Sequence, residues 1–305
     1  MQDAAFTWNA ELSLMGIPTC FEADHPELRE AALAAYGVWP RGEGAGGPGA
    51  IRIRLGLGSG EAGEGTPEVR VEGARLVLAG GGMRGEADAG RREAVCIVPP
   101  DLLADPHRLA AEVLDTLVLF LLTRTGRVPV HATGVVLGET AVVLAGRSGS
   151  GKSTLALTAL RAGLPVLSDD TVYVQTEPRL RVWGFPRPIH LLPDAKSVGP
   201  DDGGVLRQRG GRWKVAHPAG EWTGEPVADR AVLVLLERGG EVALRRIGAE
   251  DAVREVTASL EPGFDHFREQ LPAAVRALAA GGAWRLTLSA DPGAALAALR
   301  EALGP

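Results

Sequence analysis

The stretch from Thr140 to Leu160 limits what this chain can fold into. Ala141 to Ala145 is an apolar, β-branched run that reads as a buried strand. Gly146 to Ser153 follows as G-x-x-x-x-G-K-S, and beyond it Leu155, Thr158 and Ala159 share one side of a helix that Gly163 stops. Gly146, Gly149 and Gly151 let the backbone fold so that successive N–H groups point inward at phosphate oxygens. The helix N-terminus adds partial positive charge. Lys152 can then reach the β- and γ-phosphates of a nucleotide, and the Ser153 hydroxyl can ligate Mg²⁺. The expected ATP site is the whole loop: Gly146, Arg147, Ser148, Gly149, Ser150, Gly151, Lys152, Ser153 and Thr154. A glycine- and serine-rich turn without chemistry would not need a strand before it and a helix after it.

Charge narrows the partners. The chain has 305 residues and a net charge of −6. Residues 1–104 hold 15 acidic and 9 basic side chains, and the remainder balances at 23 of each. This argues against nucleic acid or an anionic membrane as a general partner. The two cysteines, Cys20 and Cys96, have neither metal-type spacing nor a disulfide framework. The first residues lack the basic start and apolar core of a signal peptide, and the run Leu117 to Leu122 is far too short to span a membrane. A cytoplasmic protein is expected.

In chain order, residues 4–22 look strand-like and Pro26 to Ala35 helical. Ile51 to Leu55 alternates strictly, and Val69 to Val71, Arg75 to Ala79 and Glu93 to Val98 read as further strands, with Gly80 to Gly90 as loop. Asp105-Pro106 resembles a capped helix start, so a small mixed α/β domain is expected over 1–104 and the catalytic domain over 105–305. That second domain should hold a hairpin through Gly138-Glu139 and then the glycine-loop strand. After the helix, a strand from Pro165 to Val174 should lie parallel beside it. Asp169 and Asp170 then fall near the phosphates, at the carboxyl ends of strands. Trp183 to Trp222 reads as a long irregular loop. Ala231 to Leu236 is a buried strand, followed by helices near 250–260 and 267–280, a strand from Trp284 to Ser289 and a last helix to Leu303. Glu237 mimics the acidic end of a second nucleotide-site strand and is read as structural.

Here the sequence resembles a known family. The carriers are Val130 to Gly134 with His131, the loop Gly146 to Ser153, Arg161 to Gly163, and Leu167 to Val174 with its aspartate pair 17 positions after Lys152. These resemble the C-terminal catalytic domain of HPr-serine kinase/phosphorylases, which share a nucleotide-binding core with PEP carboxykinases. The chain is closer still to HPr-kinase-related proteins found with ribosomally made peptides, lasso-peptide kinases among them, through Pro186 to Pro188 and the ending from Trp284 to Leu303. The implied fold is α/β, a P-loop nucleotide-binding core of the HPr kinase/PEP carboxykinase type with a smaller mixed α/β N-terminal domain. The resemblance covers roughly 125–305. Thr154 stands where bifunctional members carry an acidic residue, and their downstream segment is not recognisable between Trp183 and Trp222. The reverse, phosphate-dependent reaction and HPr as substrate are therefore not implied.

Phosphoryl transfer needs charge neutralisation, an in-line nucleophile and help with its proton. Lys152 and the loop amides serve the first with ATP and Mg²⁺, the metal resting on Ser153 and one aspartate, while the other aspartate takes the proton. The resemblance implies Asp170 as base, Asp169 toward the metal and His131 near the transferred phosphate. Arg187 is read either as a contact to phosphate or an anionic acceptor or as a solvated loop arginine. The expected activity is an ATP-dependent kinase acting on a serine-type hydroxyl of a small peptide or protein, a lasso-type precursor peptide among the candidates. A small-molecule hydroxyl kinase, or a nucleotide-binding regulatory module without transfer, is the alternative. The resemblance also suggests a homo-oligomer.

Overall fold

Ile51, Ile53 and Leu55 are buried while Arg52 and Arg54 are half-exposed, so the alternation seen here becomes a strand with one covered face. In the computed structural model it is the third of seven strands. The structure describes residues 6–42, 47, 49–61, 63, 65–193, 204–209, 212–218, 220, 222, 224–259 and 264–304. These seven strands are β1 (Trp8–Leu14), β2 (Ile17–Ala23), β3 (Ile51–Leu57), β4 (Glu68–Glu72), β5 (Arg75–Gly80), β6 (Met83–Asp88) and β7 (Glu93–Val98). They form one sheet in the order β1-β2-β3-β7-β6-β5-β4. β6 lies where a loop was expected: glycines and charges hide its pattern, yet Met83, Gly85 and Ala87 alternate inward. Helix α1 (Pro26–Tyr36) packs on β1 and β2. A helical run follows as α2 (Pro106–Arg108), a π-type stretch Leu109–Leu114 and α3 (Asp115–Thr123), started by the Asp105 carboxylate accepting the Arg108 amide at 3.0 Å.

The chain divides into two compact units, 1–125 and 126–305. The break therefore falls after the helical run rather than near residue 104. The physical reason is burial: α3 packs on β3 and β6, where Leu117, Val118 and Leu122 are fully buried. Tyr36 of α1 also donates to Asp115 of α3 at 2.8 Å.

The second unit holds β8 (Val128–Val130), β9 (Ala132–Leu137), β10 (Thr140–Ala145), α4 (Lys152–Arg161), β11 (Val166–Ser168), β12 (Val172–Gln175), β13 (Arg181–Trp183) and β14 (Ile189–Leu191). It continues with β15 (Val205–Arg209), β16 (Arg212–His217), β17 (Val227–Ala228), β18 (Arg230–Arg238), β19 (Ala243–Arg246), α5 (Ala249–Ala258), α6 (Leu271–Ala279), β20 (Ala283–Leu288) and α7 (Pro292–Leu303). The result is mixed α/β with three sheets: β11-β9-β10-β18-β20-β19, β17-β13-β12-β8 and β14-β16-β15.

The six-stranded sheet is covered on both faces, because alternate residues of β10 and β18 are apolar in both directions. Val142, Leu144, Val232 and Val234 face Leu155, Ala159, Leu296 and Leu299 of α4 and α7. Ala141, Val143, Leu233 and Leu235 face Ala252, Ala274, Val275 and Leu278 of α5 and α6, with Val172 and Val182 of the smaller sheet. Each fully buried aliphatic side chain contributes about 1.5–3 kcal/mol.

Two expectations are corrected. The strand after α4 is not the parallel neighbour of β10; β9 lies between them, antiparallel to both, and β18 is the parallel partner. The strand-helix-strand rule sets the expected neighbour, but the hairpin partner β9 holds that edge of β10, and β11 pairs on the far side of β9. The segment from Trp183 to Trp222 is not one irregular loop, since it supplies β14, β15 and β16. Prolines, glycines and arginines break its pattern into pieces too short to read as strands.

Candidate active site

The ends of β8, β9, β10, β11 and β12 bring the sequence-derived residues to one edge of the second unit. Ala145, the last residue of β10, pairs with Ala132, the first of β9. The chain therefore leaves for the glycine loop directly beside His131. Gly151 caps α4 with φ 111°, a left-handed conformation that a side chain would strain, and a Cβ there would come within 2.9 Å of Leu288 Cδ1. Arg147, Ser148 and Gly149 form the exposed crest of the loop, and Ser150 donates its amide to Arg147 O at 3.0 Å. Arg238, at the end of β18, donates Nε to Gly149 O at 3.0 Å and braces that crest.

Lys152 opens α4 with only 6% of its surface exposed. Its side chain turns back over the loop, donating Nζ to Gly146 O at 2.6 Å and to Arg147 O at 3.3 Å. A cation is thus held above the loop on main-chain carbonyls that a phosphate can replace as partners. Ser153 and Thr154 lie half-buried in the first turn of α4.

The aspartates and the histidine sit where two adjacent strands break at the same level. β8 and β12 pair in the smaller sheet, with Val130 opposite Val172. β9 and β11 pair in the larger one, with Gly134 opposite Ser168. His131 and the residues 169–171 occupy the two gaps, where the chain passes from one sheet to the other. The backbone leaves the ladders there, and two of the side chains face each other: His131 Nδ1 is 3.6 Å from Asp170 Oδ1. The Asp170 side chain is 56% exposed and that of His131 16%, so the pair is reached from solvent on the carboxylate side.

Asp169 is arranged differently. It is 7% exposed, its Oδ2 accepts the backbone amide of His190 at 3.1 Å, and its carbonyl accepts the Thr133 hydroxyl. A carboxylate receiving a main-chain donor in a buried setting is well placed as an anchor. The two adjacent aspartates thus have unlike environments, one open and one enclosed.

A small cleft lies against this edge, lined by His131, Ala145, Gly146, Val256, Ser259, Phe264 and Leu271. Phe264 meets the His131 ring at 5.4 Å between centroids, tilted by 60°. The segment carrying Arg187 also returns here: Ser168 donates to Phe185 O at 3.4 Å, and a Cβ on Gly184 would meet Leu167 O at 2.2 Å. Arg187 itself stacks its guanidinium 4.4 Å from the Phe185 ring centre and bonds Pro186 O at 3.3 Å.

Glu237 belongs to a different set of contacts. Thr287 donates to it at 2.8 Å and Arg285 at 3.1 Å, and these partners, the Thr287 bond first, hold its carboxyl below the usual carboxylate range. It ties β18 to β20.

The residues fit Mg²⁺ and a nucleoside triphosphate by donor chemistry: an exposed glycine loop at a helix start, a retained cation, the Ser153 hydroxyl and an enclosed carboxylate. Among the described residues no group of three or more His, Cys, Asp and Glu forms a metal cage. A magnesium ion carried on phosphates and waters needs only one or two protein oxygens. Sequence reading missed Thr133, His190, Arg238 and Phe264. Only Arg238 left a signal, being the residue at the carboxyl end of a buried strand.

No protein-family model matches the chain, and no curated protein matches it either. Among solved structures it is similar to an HPr(Ser) kinase/phosphatase from Coxiella burnetii, at 12% identity and a TM-score of 0.25, covering 53% of this chain and 85% of that one. At that superposition the likeness carries no argument about chemistry. No helix among the described residues is long and apolar enough to cross a membrane.

Proposed function

We propose that the chain is an ATP-dependent kinase that phosphorylates a serine-type hydroxyl of a peptide or small protein. One observation carries the reading: an exposed carboxylate, Asp170, faces His131 beside the start of a glycine loop that keeps a lysine at a helix N-terminus. A module that only held a nucleotide would have no use for the open carboxylate.

In the proposed reaction the loop amides of Gly146 to Ser153 and the Lys152 ammonium hold the β- and γ-phosphates and oppose their charge. Mg²⁺, when bound, would supply further charge neutralisation through Ser153 and Asp169. Asp170 accepts the proton of the acceptor hydroxyl as its oxygen bonds the γ-phosphorus; the bond from that phosphorus to the β-γ bridging oxygen breaks and ADP departs. His131 keeps the Asp170 carboxylate turned toward the acceptor, and Arg187 stands ready for an anionic group nearby. A precursor peptide of a ribosomal biosynthetic system is the finer form of this reading, supported by the sequence resemblance alone.

The test is direct. Serine-containing peptides incubated with the full chain and Mg-ATP should gain the mass of one phosphate. ATP binding with no phosphorylated product on any peptide or small hydroxyl acceptor would leave a nucleotide-binding module instead.

A further inference from the structure

Nothing in the reaction above uses the hairpin of β15 and β16. Among the described residues β15 pairs only with β16, so one row of its backbone N–H and C=O groups has no strand beside it. Residues that flank a two-residue connection exchange both ladder bonds, and Arg209 pairs with Arg212 across positions 210 and 211. Alternation then turns the amides of Val205, Arg207 and Arg209 toward β16, and those of Leu206 and Gln208 outward.

The exposed side chains described beside that edge are apolar, and the sequence of the hairpin is basic. Val205, Leu206 and Trp213 are 53%, 55% and 57% exposed. From Val205 to His217 the sequence carries Arg207, Arg209, Arg212 and Lys214 and no carboxylate, in a chain of net charge −6. The same sheet reaches the candidate active site by its far strand: β14 pairs with β16, and His190 of β14 donates to the Asp169 carboxylate.

We propose that β15 is the docking edge for the acceptor, which adds an extended, acidic peptide segment as a fourth strand. This rests on the kinase reading of the site. Backbone bonds to the outward groups of β15 would give affinity, and carboxylates on the added strand would meet the basic sequence of the hairpin. The edge favours a peptide over a nucleic acid, because its unpaired amides and carbonyls repeat at the spacing of another polypeptide. Strands lie about 4.8 Å apart, so the added one would run about 14 Å from β14, and about five extended residues would join it to the phosphorylated hydroxyl.

The probe is a fluorescent peptide of alternating glutamate and valine, joined by about five glycines to one serine. Two copies serve as controls, one N-methylated at alternate residues and one with lysine for glutamate. The full chain should bind each control about tenfold or more weakly than the probe. Leu206→Pro removes an outward amide but no bond to β16. It should raise the probe's KM about tenfold while kcat and the KM for ATP stay within about twofold. Equal binding of the probe and its N-methylated copy by the unaltered chain overturns the proposal, whatever becomes of the proline variant. So does displacement of the probe by a mixed-sequence single-stranded oligonucleotide at lower concentration. Binding with the expected losses but no phosphate transfer keeps the docking edge and removes the kinase reading.

Discussion

The two units put β-sheets to different uses. In the first, one face of a seven-stranded sheet is packed by helices. On the other face Glu22 pairs with Arg52 and Arg54, Arg52 with Glu93, and Arg75 with Asp88. These pairs are partly exposed and worth about 0–1 kcal/mol each, and every charge in them is answered by a neighbour. In the second unit the central strands are apolar on both faces, so no side chain of β10 is left for ion pairing. The candidate site groups lie instead where strands stop: His131 between β8 and β9, Asp169 and Asp170 between β11 and β12, and the loop from Gly146 after β10. Regular alternation with charge spends its polar groups on the sheet; an interrupted buried strand leaves them for a ligand.

The largest effect should come from the loop. Lys152→Ala should lower phosphate transfer by about 10³-fold or more and weaken ATP, because the other lysines, Lys196 and Lys214, lie far off in sequence. Near-normal turnover would move the chemistry away from this edge.

Neutralising a carboxylate should sharpen the contrast between the units. Asp170→Asn should cut transfer by roughly 10²–10⁴ with ATP affinity changed only a few-fold. Asp169→Asn should instead raise the Mg²⁺ requirement and lower unfolding stability by about 1.5–3 kcal/mol, since the His190 amide loses a charged acceptor. Glu22→Gln in the first unit should leave transfer unchanged within about twofold and, with two partly exposed pairs lost, cost no more than about 2 kcal/mol. Equal losses in kinetics from Glu22 and Asp170 would dissolve the distinction.

Alkaline titration should act on the first unit. Burial pushes the Cys96 thiol up to about 12 and, with Glu22 and Glu11 nearby, the Cys20 thiol up to about 11. A raised folded pKa means the folded state holds its proton more tightly. The stabilisation is therefore complete below the unfolded value of about 8.5 and is lost as pH climbs through 11 and 12. Denaturant midpoints should fall from pH 9 upward, and less so in Cys96→Ala. A midpoint indifferent to pH in this range would mean that the thiols are open to water.

The smallest effect is expected at Glu237. Its partners Thr287 and Arg285 lie on the adjoining strand β20, so Glu237→Gln should change transfer by less than about threefold and soften one surface pair. A loss as large as that of Asp170→Asn would place Glu237 among the reacting groups.

Much of this architecture was legible because local forces decide it. Ile51 to Leu55 declares its strand by alternation, Asp291 its helix by accepting the Gly293 amide at 2.8 Å, and Gly151 its left-handed cap by lacking a side chain. The glycine loop, with Lys152 at its helix start, was equally plain, since strand, loop and helix are contiguous in the chain. Other features were hidden. β6 reads as a loop because Gly85 and Ala87 are weak inward residues, and they are covered only when β5 and β7 flank them. The helical run through Thr123 carries apolar residues that could serve either unit; packing on β3 and β6 assigned it to the first.

By itself, the sequence singled out the candidate residues: the loop from Gly146 to Thr154, the aspartate pair and His131, each marked by residue type and short spacing. Tertiary structure alone decided that His131 and Asp170 face each other, that Asp169 is enclosed under the His190 amide, and that β9 separates β10 from β11. These are pairings across 39, 21 and more than 20 residues of chain. A helix or turn is fixed by bonds between near neighbours, whereas strand order is fixed by which distant edge is covered first, and no local pattern records that choice.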